Sequence, residues 1–476
     1  MAIPYSSLNH PLRVPLAAEV HSRPFLRMTA PESVTHLAVY PRAGGAIAAI
    51  DIAAIQHAAL AQLCTHFGVA APGREAKYFF HDFGRFRLKW ECHTEFATYT
   101  FAQTNESGLP LEDAFARVPL FHVPQEWLLG LRGKIIVAAH VLLEKSGFSG
   151  GAPDAQVRRA FEGNMLVGSR TLHGGEIWTD FLIQSDGFSR FVVRDAGMHE
   201  QEAGRLVQRL LEIETYRMMA LLGLPHAQHA APVLNGIEGE LATLTAAMVE
   251  AGKAGGEPDD ADDEQALLGE ITGLAARVEK LALDNSYRFS ASQAYFRLVR
   301  ARIEELRESR IEGLPTIAEF MDRRLAPAMN TCEAMARRQE ALAARIAHTN
   351  DLLRTRVGIV QEQQNRQILQ SLNRRAAQQL RLQQAVEGLS VVAISYYFAG
   401  LCNYVGKAAK AAGWPVNPDI ATGLLIPAIA AGVWLGLRHL HRSVGAERRG
   451  ERGEPQPRSQ AEDSAASLLR PTPPSG

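Results

Sequence analysis

Two uncharged stretches near the C-terminal end, residues 388–406 and 420–437, constrain the fold of this chain more than any other feature. At about 1.5 Å per helical residue each spans roughly 27 Å, close to the ~30 Å hydrocarbon core of a bilayer. Only 13 residues separate them, so together they predict a two-helix transmembrane hairpin over 388–437. Arg366, Arg374, Arg375 and Arg381 precede the first run, and Arg438, Arg442, Arg448, Arg449 and Arg452 follow the second. The loop between them holds only Lys407 and Lys410. Basic flanks stay on the cytoplasmic side, so the expected location is the cell inner membrane with both termini cytoplasmic. The opening MAIPYSSLNHPLRVPLAAEV lacks a basic start followed by an apolar run, which agrees with that orientation.

At ~100° per residue the first run has two unlike sides. Val391, Ile394, Phe398, Leu401 and Val405 share one arc. Ser395, Ala399, Cys402 and Asn403 fall opposite, with Gly388, Gly406, Tyr396 and Val392. Lipid surrounds a lone anchor evenly, so the milder side calls for another helix or for water. Ser395, Ala399, Cys402 and Asn403 are therefore candidates for helix packing or for lining a pore. In the second run Ala428, Gly432 and Gly436 recur at four-residue spacing, a small-residue packing face.

Upstream, residues 1–245 read as a mixed α/β domain. SVTHLAVYP is strand-like, DIAAIQHAALAQLCTHFG has helical spacing behind Asp51, and AKYFFHDFGRFRLKWECHTEFATYTFAQT reads as two or three antiparallel strands. KIIVAAHVLLE, NMLVGSRTL, EIWTDFLIQ and SRFVVRD add strands, and a long helix follows, ending at Gly223 and Pro225. Residues 246–266 form an acidic linker whose Asp259, Asp260, Asp262, Asp263 and Glu264 suit a solvated helix entry or a divalent cation. A helical stalk is expected over 267–387. Its first part carries Leu267, Ile271, Leu274, Val278 and Leu281 in a coiled-coil-like seam; its second runs past Pro327 to Glu387. A stalk of this kind packs on a partner helix or on copies of itself, making a homo-oligomer. Residues 438–476 are a basic, then Pro-rich, tail expected to be disordered.

A net charge of −1 gives no basic field for nucleic acid. The four cysteines, Cys64, Cys92, Cys332 and Cys402, form no C-x-x-C pair and suit a reducing compartment. GFSGG matches the G-x-S-x-G elbow around Ser149, yet Glu144, Lys145 and Ser146 intervene after the strand and Pro153 follows, so it reads as a turn. His21 and Arg23 suit an anion or a structured turn. His93 and Glu95 are read on one strand face, as metal ligands or as a cross-strand pair. His226 and His229 follow a helix end, where charged imidazoles suit the dipole. No catalytic residue and no cofactor are assigned.

AEVHSRPF, LKWECHTEF, RLLEIETYRM and NRRAAQQLRLQQAVEGLSVVAISYY resemble a bacterial family of uncharacterised, predicted membrane-anchored proteins carrying a domain of unknown function. That resemblance implies inner-membrane attachment. The layout as a whole is similar to the CorA-type magnesium channels: an α/β cytosolic domain, a long helical stalk and a C-terminal two-helix hairpin. It implies a homo-oligomeric cation channel or transporter, with a divalent or other cation as cargo and the first span lining the pore. The Gly-Met-Asn signature of those channels is absent, since Gly400-Leu401-Cys402 is followed by Asn403-Tyr404-Val405. The alternative is a membrane-anchored scaffold or sensor whose α/β domain binds a ligand or protein.

Overall fold

The computed structural model describes residues 9–20, 24–40, 52–145, 153–163, 165–171, 174–254, 260–413, 417, 419–420 and 423–435. Ser149 with its GFSGG turn, and His21 and Arg23, lie outside these residues.

Among the described residues the strands are β1 (Glu32–Tyr40), β2 (Tyr78–Asp82), β3 (Arg87–Cys92), β4 (Ala97–Thr104), β5 (Lys134–Lys145), β6 (Val167–Arg170), β7 (Gly175–Ile183), β8 (Ser189–Asp195) and β9 (Ser309–Arg310). They form one sheet in the order β2-β3-β4-β1-β5-β8-β7-β6-β9. The β5–β8 pair is parallel and the rest are antiparallel. Each strand expected from the sequence is present, and the aromatic stretch 76–104 makes three.

The period-2 alternation sorts side chains onto two faces. Leu37, Val39, Leu88, Trp90, Tyr99 and Phe101 share one core with Leu60, Leu63 and Cys64 of α2 (Ile52–His66). On the opposite face Val34, Ala139, Val141, Phe191 and Val193 share a second core with Leu206, Leu210 and Ile213 of α6 (Glu200–Leu221). That core also takes Val299 and Ile303 from α8 (Asp260–Leu306), Ile317 and Met321 from α9 (Ile317–Arg324) and Met329 from α10 (Ala326–Ala411). Four shorter helices are α1 (Arg13–Val20), α3 (Leu111–Ala116), α4 (Gln125–Leu129) and α5 (Ala155–Arg159).

α6 ends at Leu221, just ahead of Gly223 and Pro225 as expected, but α7 (Gly223–Ala254) opens at once, a proline in the first turn forfeiting no hydrogen bond. α7 and α8 take in residues 246–254 and 260–266 of the expected linker. His226 and His229 therefore sit inside α7, and His226 Nδ1 lies 3.1 Å from Asn285 Oδ1 of α8. The seam residues Ile271, Leu274, Val278 and Leu281 are buried against Leu234 and Ile237 of α7 and Leu342 and Ile346 of α10. Of the acidic run, Glu264 is buried and ion-paired with Arg356.

Contacts divide the chain into two units, Met1–Val357 and Gly358–Gly476. In the second, α10 carries an 18-residue apolar window long enough to cross a membrane, none of it buried. A shorter apolar helix, α11 (Gly423–Leu435), follows.

Gly204 on α6 sets how closely that helix meets the chain ahead of β1: a Cβ there would stand 1.7 Å from the Leu26 carbonyl oxygen. Backbone cannot yield as a flexible side chain can. Gly204→Ala is expected to destabilise the first unit by about 2 kcal/mol or more, read as a lowered midpoint in thermal unfolding; an unchanged midpoint would show that α6 is free to shift.

Candidate functional site: a polar cavity beneath α6

On the α6 face, β1, β3 and β4 become polar. The alternation in RLKWEC puts Lys89 and Glu91 on this face while Leu88 and Trp90 fill the core behind. Register aligns them: Thr100 pairs with His36 on one side and Lys89 on the other, and Thr98 pairs with Glu91. Gln208, Leu211, Glu212 and Thr215 of α6 and Arg302 of α8 complete the walls, enclosing a cavity of about 180 Å³. Leu26, Met28, Val34, Phe96 and Val207 provide an apolar side.

Burial forces these polar groups into pairs. Lys89 Nζ is 3.1 Å from Glu91 Oε2 and donates to Gln208 Oε1 at 3.0 Å. Gln208 Nε2 donates to Glu212 Oε1 at 2.7 Å, and Glu212 is ion-paired with Arg302. Arg302 reaches Glu305 at 2.7 Å, and Glu305 meets Arg209 at 3.0 Å. The chain runs from sheet to surface with donors and acceptors alternating, which fixes the orientation of the Gln208 amide.

His36 is enclosed, with Nδ1 2.8 Å from Thr100 Oγ1 and Nε2 3.1 Å from Thr215 Oγ1. Burial, reinforced by the positive fields of Lys89 and His93, pushes its pKa down to about 3. It is a neutral hydrogen-bonding strut. Thr98 is the exception to the pairing: it lines the cavity at 3% exposure, and its hydroxyl is buried with no hydrogen-bond partner.

His93 and Glu95 do not share a strand face. β3 ends at Cys92 and β4 begins at Ala97, so both residues occupy the turn closed by the His93 N–H to Phe96 carbonyl bond of 2.8 Å. His93 stacks on Phe96 with ring centroids 4.4 Å apart and borders the cavity. Glu95 turns to Arg288 of α8, 2.9 Å away, and both are buried. Burial, then the Glu95 charge, holds the neighbouring Tyr295 phenol well above its ordinary range. No group of three or more His, Cys, Asp or Glu residues placed to hold a metal occurs among the described residues.

On α10, Ser395, Ala399, Cys402 and Asn403 are half-buried, whereas Tyr396, Tyr397 and Tyr404 are exposed. The sheltered stripe is narrower than the sequence wheel, which had placed Tyr396 and Val392 with it; Val392 is exposed as well. Ser395 Oγ and Asn403 Oδ1 are buried without hydrogen-bond partners.

A family of proteins of unknown function, DUF3422, matches residues 8–444. The chain belongs to this family. No curated protein and no solved structure matches it. Membership of DUF3422 carries no assigned activity, and none of these comparisons bears on a CorA-type layout.

The buried imidazoles give the first unit a pH signature. Burial also pushes His140 down to about 4, the Arg190 charge adding to that and Asp186 opposing it; its Nδ1 lies 3.0 Å from Thr35 Oγ1. Neutral in the fold, both histidines take up protons only on unfolding. Their contribution is fully present above pH ~6.5 and is lost as pH falls toward their folded values. Each is expected to cost about 2 kcal/mol between pH 7.5 and pH 5. Replacing His36 with Asn should flatten the dependence of unfolding free energy on pH across that interval; a slope equal to wild type would show His36 titrating alike in the folded and unfolded chain.

Proposed function

We propose that this DUF3422 member is a membrane-attached binding protein. Its apolar C-terminal helices hold it at the inner membrane with both ends cytoplasmic, and its α/β unit takes a small polar ligand in the cavity beneath α6. The observation carrying the binding half is Thr98, whose cavity-lining hydroxyl has no hydrogen-bond partner among the described residues while its neighbours are joined in a continuous network. A single water would satisfy it, but about 180 Å³ offers far more room than one water's share of ~30 Å³ in the liquid. Thermal shift of the full chain in detergent, screened with a zwitterion, a carboxylate, an amine and a polyol, tests this half. At least one probe is expected to raise the midpoint, and the shift should shrink in Thr98→Val. A wild type indifferent to all four sinks the binding reading.

The attachment half is supported by the surface of α10. Leu389, Val392, Tyr396, Tyr397, Phe398, Leu401, Tyr404 and Val405 are each exposed, forming a continuous apolar stretch that water solvates poorly. In this reading α11 is the returning helix of a hairpin. Full-length protein should stay with the membrane pellet through an alkaline carbonate wash, and L389R/F398R should move to the supernatant. Wild type released by carbonate would show that the apolar stretch meets protein instead of lipid.

A second reading, an oligomeric cation pathway of CorA-like layout, is favoured by one observation: Ser395 and Asn403 hold unpaired buried oxygens within the apolar window. Exposed Ile359, Ile368, Leu372 and Leu380 on α10 offer surface for self-association. The reading expects magnesium or potassium flux into proteoliposomes that changes when Ser395, Cys402 or Asn403 becomes Leu. Absence of flux from intact protein, or flux indifferent to all three changes, leaves helix packing as the role of that stripe.

A further inference from the structure

We infer that the cavity beneath α6 recognises a small α-amino acid with an apolar side chain. This rests on the binding reading above and narrows it to a chemical class.

The charges in the cavity wall decide the class. Lys89 is matched by Glu91 and Arg302 by Glu212, while His36 is neutral, so these wall pairs are balanced before anything enters. An entrant with a net charge would upset that balance among largely buried groups. A lone carboxylate would set two anions against Lys89, and a lone amine two cations against Glu91. A zwitterion upsets neither. An α-amino acid carries opposite charges on neighbouring groups, the spacing offered by Lys89 Nζ and Glu91 Oε2 at 3.1 Å.

The available donors fit the same orientation. Lys89 directs two of its three ammonium protons to Glu91 and Gln208, leaving one for a carboxylate oxygen. The Thr98 hydroxyl, cross-strand from Glu91, donates to the same carboxylate and thereby gains the partner it lacks. The ligand's ammonium then donates to Glu91. Its side chain lies along Leu26, Met28, Val34 and Leu211, an apolar side that a polyol would leave unmatched. A cavity of about 180 Å³ suits a ligand below drug size, in the range of leucine.

Titration calorimetry of purified full-length protein in detergent tests the class with L-leucine, isocaproate (its carboxylate-only counterpart), isoamylamine (amine only) and glycerol. Leucine is expected to bind most tightly. Thr98→Val, nearly isosteric and freed of the buried hydroxyl, should weaken leucine about tenfold, the worth of one charge-assisted hydrogen bond. Glu91→Gln should weaken leucine by a similar factor while narrowing or reversing its advantage over isocaproate. Isocaproate, isoamylamine or glycerol binding wild type as tightly as leucine would overturn the amino-acid class while leaving a ligand cavity in place. So would leucine affinity unmoved by Thr98→Val. Failure of all four probes on wild type would overturn the class and the binding reading together.

Discussion

The structure of the first unit depends on α6 lying closely against a sheet face that carries charge. Gly204 lets the helix reach the Leu26 carbonyl, and at that distance Lys89, Glu91 and His36 are taken out of water. A buried ion without a partner costs several kcal/mol, so the face can exist only as a network. The network is the chain from Glu91 through Lys89, Gln208 and Glu212 to Arg302. Its existence explains why α6 carries Gln208 and Glu212 on a face that is otherwise apolar at Leu206, Leu210 and Ile213. The His36 clasp between Thr100 and Thr215 ties the same helix to the sheet through neutral hydrogen bonds, immune to pH until well below neutrality.

The same sheet face changes character along its width, and the change places the site. Toward β5 and β8 the inward residues are Ala139, Val141, Phe191 and Val193, packed against α6 and α8. Toward β3 they are Lys89 and Glu91. One helix thus lies on an apolar anchor at one side and a polar cavity at the other. A packed core holds side chains in single rotamers, so the anchor limits how far the cavity walls can drift. A cavity so placed has walls already held by the packing around it.

Most strands were legible because alternation is a local signal. SVTHLAVYP and RLKWEC read as half-buried strands from their own residues. The polar grid was also written in that alternation, as Lys89-x-Glu91 and Thr98-x-Thr100, but a strand's polar side normally faces water, and nothing local announces that a helix about a hundred residues later covers it. His93 and Glu95 misled for a related reason: their spacing fits a strand, yet the chain turns between Cys92 and Ala97. Gly223 and Pro225 do mark the end of α6, but the same pair begins α7, which a stop signal does not announce. The sheltered stripe on α10 was seen in outline through Ser395, Ala399, Cys402 and Asn403. Its breadth was overestimated because a wheel assigns angles without knowing which neighbours are present.

The seam at Ile271, Leu274, Val278 and Leu281 shows how a coiled-coil pattern can be satisfied within one chain. A heptad-like row needs a partner stripe but does not say whose. Here α7 and α10 supply it, through Leu234, Ile237, Leu342 and Ile346. With those positions filled, Ile271, Leu274, Val278 and Leu281 are buried within the chain itself. Ile368, Leu372 and Leu380 of α10, by contrast, remain exposed. These lie in Gly358–Gly476, the same unit as the apolar window of α10. The apolar window and these exposed residues thereby belong to one unit, and the cavity beneath α6 to the other.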